Sequence, residues 1–273
     1  MTHPATLLKT LEQRAKKRFG QHFLASPGVV RNIVLVSEVG PGSKVLEIGP
    51  GLGVLTEALL ATQAEVTAIE LDRDMAAFIR ERLPEVSLLE ADGARVDFSS
   101  TLEGGGWRCV ANLPYNAGTR MIANMLACPE TFDRLLVMVQ KEVAERLVAG
   151  PGDRKRGSLS VYAEARSDAR IALRVPPGAF HPPPKVHSAV VEFRLRTRPA
   201  VGEADMGVFD RLVRELFSQP RKTIRNNLSH AMGRTVADAL IDAAGLCPTA
   251  RPASLTLAEI TALAEAGTRA ERG

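Results

Sequence analysis

The feature that most limits the fold is a repeated switch of hydrophobic period between residues 43 and 148. Short apolar runs alternate there with segments whose apolar residues recur every three or four positions. Ser43–Ile48, Glu65–Glu70, Val86–Leu89, Trp107–Ala111 and Leu135–Gln140 read as strands. Val54–Ala61, Asp72–Leu83, Arg120–Ala127 and Glu142–Val148 read as helices between or after them. Strands alternating with helices of this length predict βαβ units, an α/β fold whose parallel sheet carries helices on both faces.

The flanking segments have other periods. Leu7, Leu8 and Leu11 give residues 6–18 a helical spacing that ends in the basic run Arg14–Arg18. Ser26-Pro27, a capping residue followed by a first-turn proline, predicts the start of a second helix. A basic, Gly-rich loop, GPGDRKRG (150–157), precedes Ser158–Ala165, an apolar stretch to Val175 and the turn PPGAFHPPPKV (176–186). Ser188–Leu195 alternates as a strand does, and Thr197–Asp205 reads as a linker. From Gly207 onward, Phe209, Leu212, Val213, Leu216, Ile224, Leu228, Leu240, Ile241, Ile260 and Leu263 keep helical spacing. The expected organisation is a basic arm at 1–18, an α/β domain at 19–197 and a small all-α domain at 206–273.

Charge is unevenly spread. Residues 1–36 carry six Lys/Arg against one acid, residues 37–149 ten against seventeen, and residues 150–199 ten against four. An acidic middle between basic margins suits a polyanion gripped at the edges of the domain. No run of about 18 apolar residues exists to span a membrane, and residues 1–30 lack the continuous apolar region of a secretory leader. Cys109, Cys128 and Cys247 have no CxxC spacing, which argues against a zinc site or a disulfide framework and predicts reduced thiols in a cytoplasmic protein.

VLEIGPGLG (45–53) places Gly49, Gly51 and Gly53 just past a strand, where open α/β sheets bind ligands and a glycine lets backbone approach closely. The spacing is G-x-G-x-G after an acid, Glu47, rather than the G-x-G-x-x-G of a pyrophosphate site, so a cationic or zwitterionic ligand is the better match. Glu70, closing the next strand, is placed to take the ribose hydroxyls of an adenosyl group, and Asp92 to accept from an adenine amine. Helix capping and solvated loops are the ordinary alternatives for both acids.

NLPY (112–115), directly after the strand Trp107–Ala111, is the most informative motif. The N6 lone pair of adenine is delocalised into the ring, so a catalyst must accept hydrogen bonds from the amine while that nitrogen becomes tetrahedral. Asn112 supplies a side-chain oxygen, and the Leu113 carbonyl, restricted by Pro114, a second acceptor. Tyr115 offers a face for a flipped-out base. No metal and no covalent intermediate are required if the methyl arrives on a sulfonium.

FGQHFL, VLEIGPGLGVLT, AIELD, ADG, NLPYN, QKEVAERL, PPGAFHPPPKVHSAV and FSQPRKTIRNNL stand in the order and spacing of one family. Over residues 15–270 the chain resembles the KsgA/RsmA family of small-subunit (16S) ribosomal RNA adenine N6,N6-dimethyltransferases. The resemblance implies a Rossmann-like class I methyltransferase sheet with a small all-α C-terminal domain. It also implies S-adenosylmethionine as cofactor and methylation of two adjacent adenosines near the 3′ end of 16S ribosomal RNA during small-subunit biogenesis. Cofactor contacts are implied at His22, Leu24, Gly49, Glu70, Asp92 and Asn112, with Gly51 in the same turn. Many members carry Asn where this chain has His22, so either side chain or backbone serves there. Phe180 is implied to stack on the target adenine opposite Tyr115; its flanking prolines stiffen the loop and favour an exposed ring, the alternative being a hydrophobic plug over the sheet.

Lys16, Lys17 and Arg18, then Arg154, Lys155 and Arg156, then Arg194, Arg196 and Arg198, then Arg221, Lys222 and Arg225 are candidate phosphate contacts, with Gln219–Thr223 expected to open a helix. The expected partner is 16S ribosomal RNA in a precursor of the 30S subunit, and the lack of sustained heptads predicts a monomer. A large-subunit ribosomal RNA adenine methylase, a DNA adenine methylase and an assembly factor acting mainly by binding are the rival readings.

Overall fold

A computed structural model of the chain describes Thr6 and residues 22–272. The expected helix over 6–18, apart from Thr6, and the basic residues Lys16, Lys17 and Arg18 lie outside them. Contacts divide the chain into two units, residues 1–144 with 169–197, and residues 145–168 with 198–273.

The first unit holds a seven-stranded sheet of order β4-β3-β2-β5-β6-β9-β7. Its strands are β2 (Lys44–Ile48), β3 (Glu65–Glu70), β4 (Ser87–Glu90), β5 (Trp107–Asn112), β6 (Phe132–Gln140), β7 (Ser167–Val175) and β9 (Ser188–Leu195). β2 pairs in parallel with β3 and β5, β3 with β4, and β5 with β6, while β9 runs antiparallel to β6. The central strands are apolar on both faces, as a sheet covered twice requires; Val45, Leu46 and Ile48 are all buried. The helices of this unit are α1 (Pro27–Ser37), α2 (Val54–Leu60), α3 (Arg73–Arg82), α4 (Phe98–Thr101), α5 (Gly118–Leu126) and the start of α6 (Lys141–Leu147). Ser26 caps α1 with Pro27 in its first turn, and Asp72 caps α3 through the amides of Asp74 and Met75.

The order of strands determines where a ligand can go. From β2 the chain adds β3 and β4 on one side, then returns to place β5 on the other. The crevice between the carboxyl ends of β2 and β5 is therefore the topological switch point. The glycine turn leaves β2 there and the NLPY turn leaves β5.

Three strands are not announced by the sequence. Ser167–Val175 read only as an apolar stretch, because Asp168, Arg170 and Arg174 interrupt it; it forms edge strand β7. β1 (Phe23–Leu24) pairs antiparallel with β8 (Phe180–His181) over two residues, a pairing between segments far apart in sequence that no local pattern announces.

The second unit has its own core. α7 (Ser158–Arg166) contributes Val161 and Ala165 to a cluster with Phe209, Leu212 and Leu216 of α8 (Met206–Leu216), and Ile224 and Leu228 of α9 (Ile224–Met232). Leu240 and Ile241 of α10 (Arg234–Ala243) and Ile260 and Leu263 of α11 (Leu257–Arg272) complete it. Residues 145–168, counted with the sheet in the sequence reading, thus belong by their contacts to the helical unit. The residues 219–222, expected to open a helix, form a turn before it: α9 begins at Ile224, capped by Thr223.

Candidate active site

A cleft of about 650 Å³ opens at the switch point of the first unit. His22, Leu24, Gly49, Gly51, Glu70, Asp92, Asn112, Leu113, Pro114 and Tyr115, all singled out from the sequence, line it. Its floor is the glycine turn. Gly51 has φ +54°, and a Cβ there would lie 2.9 Å from the Phe23 ring, so neither the backbone angle nor the space admits a side chain.

Four acids line the cleft, Glu47, Glu70, Asp72 and Asp92. Glu70 is buried at the end of β3, where Oε2 accepts from the Gly51 amide (3.2 Å) and Oε1 from the Asp72 amide (2.9 Å). Burial holds its carboxyl above the usual range, and those backbone donors offset part of the rise. A carboxylate offers about four lone-pair sites, so both oxygens retain acceptor capacity toward the cleft. Glu47, on β2, is buried with Oε2 unpartnered. Burial pushes its carboxyl up to about 8; the Thr56 hydroxyl offsets part of this and nearby Glu70 adds to it. Asp92 accepts from the Ala94 amide (3.0 Å) and pairs with Arg95 (3.4 Å).

The wall opposite is the NLPY turn. Asn112 Nδ2 donates to the main-chain carbonyl of His22 (3.1 Å), which dictates the amide's orientation, since only the NH₂ can donate to a carbonyl. Asn112 Oδ1 is consequently buried and unpartnered beside the cleft. The Leu113 amide donates to Met138 of β6, and the Pro114 carbonyl accepts from Gly118 at the start of α5, so the turn is tied at both ends. Tyr115 is half-buried, its hydroxyl 2.7 Å from Ser188 Oγ; burial raises its phenol and the Ser188 bond offsets part of that. The sequence reading missed Ser188, although it stands within the recognised PPGAFHPPPKVHSAV segment.

Phe180 is not where the family resemblance implied. Its ring is 4% exposed, sits in the core cluster with Phe23, Leu24 and Val30, and does not line the cleft. Pairing of Leu24 with Phe180 commits this residue to the inside. The surrounding prolines stiffen the loop but do not choose the ring's side, and burying a Phe side chain is worth about 2–3 kcal/mol. It is a hydrophobic plug in this structure.

The basic clusters separate likewise. Arg156 is buried, donating to the Ala149 carbonyl (2.9 Å) and pairing with Glu164 (2.7 Å), so it is part of the helical unit's interior rather than a phosphate contact. Lys155 pairs with Glu145, Arg225 with Asp238, and Arg194 with Glu192 and Glu38. Arg154, Arg221 and Lys222 are exposed and, among the described residues, make no ion pair. The turn carrying Arg221 and Lys222 is pinned by the buried Asn227, which accepts from Ser218 Oγ and the Gln219 amide and donates to the Gln219 carbonyl. Among the described residues no cluster of His, Cys, Asp or Glu is arranged to hold a metal ion, and no helix is long and apolar enough to cross a membrane.

Residues 12–266 match a protein family described as ribosomal RNA adenine dimethylase. Two relatives, each called ribosomal RNA small subunit methyltransferase A, align over nearly all of both chains. The one from Syntrophotalea carbinolica is 41% identical over 257 residues, 93% of this chain and 97% of its own. The one from Pseudomonas aeruginosa is 40% identical over 257 residues, 93% and 94% respectively. Among solved structures, a dimethyladenosine transferase from Plasmodium falciparum shares the fold with a TM-score of 0.75 at 24% identity, covering 90% of this chain and 99% of that one. The 23S rRNA methyltransferase ErmE has a TM-score of 0.67 at 25% identity, covering 89% and 98%.

Proposed function

Because the chain belongs to the ribosomal RNA adenine dimethylase family, we propose that its cleft transfers methyl groups from S-adenosylmethionine to N6 of two adjacent adenosines near the 3′ end of 16S ribosomal RNA, giving N6,N6-dimethyladenosine. The observation that carries the reading is the buried, unpartnered Oδ1 of Asn112 beside the acidic cleft. An acceptor held dry and pre-oriented is what a weakly nucleophilic amine needs in order to give up an N–H to a hydrogen bond and expose its lone pair.

The residues present fit the methyl donor. Four lining acids, one of them Glu47 with an unpartnered oxygen, favour a ligand with positive charge and several donors, and the turn at Gly51 lets that ligand lie against backbone. Glu70 would hold the ribose hydroxyls, Asp92 the adenine amine, and Glu47 the cationic portion. Bound S-adenosylmethionine supplies a methyl group already activated on a sulfonium. Asn112 Oδ1 and the Leu113 carbonyl accept from the target amine, and Tyr115 stacks on the target base without help from the buried Phe180. His22 and Leu24 close the cleft on the side of the N-terminal segment.

Arg154, Arg221, Lys222 and the exposed Arg198 are phosphate contacts, positioning RNA without reading its sequence. The substrate state is a precursor of the small subunit, the enzyme acts as a monomer, and its place is the cytoplasm. The test is methyl incorporation from labelled S-adenosylmethionine into unmethylated small subunits, large subunits and duplex DNA in parallel. Label in the small-subunit RNA alone is expected; label confined to large subunits or DNA would keep the chemistry and overturn the substrate.

A further inference from the structure

The bond between the Tyr115 hydroxyl and Ser188 Oγ (2.7 Å) ties the NLPY turn to a distant strand of the same sheet. Tyr115 belongs to the turn that leaves β5, and Ser188 opens β9. β6 lies between those two strands, and Ser188 is paired with Gln140 at the end of β6. Next to it, the His187 carbonyl accepts from the Lys141 amide (2.9 Å), so main-chain bonds hold the start of β9 in place. Ser188 is 1% exposed and does not line the cleft, whereas Tyr115 is half-buried and does. Among the described residues, Tyr115 is the hydrogen-bond partner of the Ser188 hydroxyl.

We infer that Ser188 is a positioning residue for methyl transfer: its hydroxyl, fixed in the sheet, holds Tyr115 by the phenol and keeps that ring where the acceptor base must stack. The inference rests on the reading of Tyr115 given above. The NLPY turn sets the Tyr115 backbone but leaves the side chain a choice of staggered χ1 wells. The phenol oxygen is the atom that moves farthest when χ1 changes, so a bond at that oxygen removes the choice. Rotation about χ2 leaves the oxygen where it is, and the bond survives it. A residue on a paired strand is also a firmer anchor than one on a loop. The base then meets a ring already in place, and no ordering of the side chain is charged to the encounter. Because Ser188 stands outside the cleft, its effect on the reaction passes through Tyr115. A ring displaced by about 1 Å would misplace the amine stacked on it, and misplacement of that size costs up to about a hundredfold in rate.

A double-mutant cycle separates this role from a structural one. Ser188→Ala, Tyr115→Phe, the double variant and Tyr115→Ala are to be compared for kcat on unmethylated small subunits, with the Kd of S-adenosylmethionine measured by calorimetry. Ser188→Ala and Tyr115→Phe are each expected to lower kcat about 5- to 20-fold, with donor Kd changed less than about threefold. The double variant is expected to lie within about twofold of either single one, because each removes the same bond. If Ser188→Ala does not fold, Ser188→Cys, a weaker hydrogen-bonding group of similar size, takes its place; its loss is smaller and again vanishes beside Tyr115→Phe. Undiminished kcat in the Ser188 variant, or a donor affinity that falls in step with kcat, overturns the inference. So does a Ser188 loss that is as large beside Tyr115→Phe as in the unaltered protein, since it then acts through something other than the phenol. A fully active Tyr115→Ala would instead defeat the underlying reading of Tyr115, which keeps the two failures distinct.

Discussion

The side-chain nitrogen of Asn112 is spent on the His22 carbonyl, 3.1 Å away, and the oxygen of the same amide is left buried with no partner. A buried unpaired acceptor costs about 1–3 kcal/mol, and here that acceptor stands beside the cleft where an incoming amine can donate to it. Asn112→Asp keeps the size but sets a second acceptor against the His22 carbonyl, which the two oxygens will avoid. Its kcat is expected to fall about 100- to 1000-fold, and methyl incorporation under saturating donor checks this.

The glycine turn gives a steric prediction. Gly51→Ala forces a left-handed backbone on a residue with a Cβ and drives that Cβ to 2.9 Å from Phe23 Cε1. Strain of about 1–2 kcal/mol falls directly on the turn that receives the donor, so S-adenosylmethionine affinity should weaken about tenfold or more. Calorimetric titration measures it.

Glu47 makes stability depend on pH. Its carboxyl is raised from 4.5 to about 8 in the folded protein, so between those values the folded state binds a proton that the unfolded chain has released. The sign follows: this group's contribution is most favourable below the unfolded value and is lost as pH rises through the folded one. In the absence of donor, Glu47→Gln should flatten the fall in stability between about pH 6 and about pH 9 by roughly 2–3 kcal/mol. Urea unfolding at the two pH values, for both proteins, is the measurement.

A buried ion-pair network joins α1 to the sheet. Arg134 of β6 donates to the Val36 and Ser37 carbonyls at the end of α1 and pairs with Glu38 and with Glu192 of β9, which is 1% exposed. Burial acts to raise the Glu192 carboxyl, but Arg134, Arg194 and Arg170 together hold it below the usual range. Its stabilising contribution is therefore present at neutral pH and is lost as pH falls through that depressed value. Arg134→Leu removes the one buried partner of Glu192 and leaves it to the more exposed Arg170 and Arg194, which should cost about 2 kcal/mol in urea unfolding, with Glu192→Gln in the same chain recovering part of it.

The cations of the helical unit should separate into two kinds. Arg221→Ala with Lys222→Ala is expected to weaken small-subunit binding and to reduce the salt dependence by about 1.5 in log–log slope, without loss of stability. Arg156→Ala should instead lower the unfolding temperature, since Arg156 is buried against Glu164 and the Ala149 carbonyl. Binding at several salt concentrations, with melts alongside, distinguishes them.

What was legible in the sequence is what short-range chemistry dictates. Ser26-Pro27 announced α1, the period of Glu65–Glu70 matched β3 residue for residue, and the turns after β2 and β5 stood out because the glycine spacing, the acids Glu70 and Asp92 and the NLPY run fall together at the strand ends of one α/β pattern. What was not legible depends on partners distant in the chain. The prolines around Phe180 left both an exposed ring and a buried plug open, and its pairing with Leu24 decides for the plug. Arg156 looked like one more surface cation until Glu164, eight positions on, proved to share its interior. Ser188 gave no sign in the sequence that its hydroxyl meets Tyr115, 73 residues away along the chain. The edge strand β7 hid behind Arg170, whose charge is answered by Glu192 on the neighbouring strand.

The central claim is that Asn112 Oδ1 receives the adenine amine during methyl transfer. Its most direct test is mass spectrometry of nucleosides from unmethylated small subunits incubated with S-adenosylmethionine and either the unaltered protein or Asn112→Ala, with donor affinity measured on both. The account predicts N6,N6-dimethyladenosine in the 16S ribosomal RNA with the unaltered protein, and essentially none with Asn112→Ala despite retained donor binding. Dimethyladenosine formed at an undiminished rate by Asn112→Ala would contradict it.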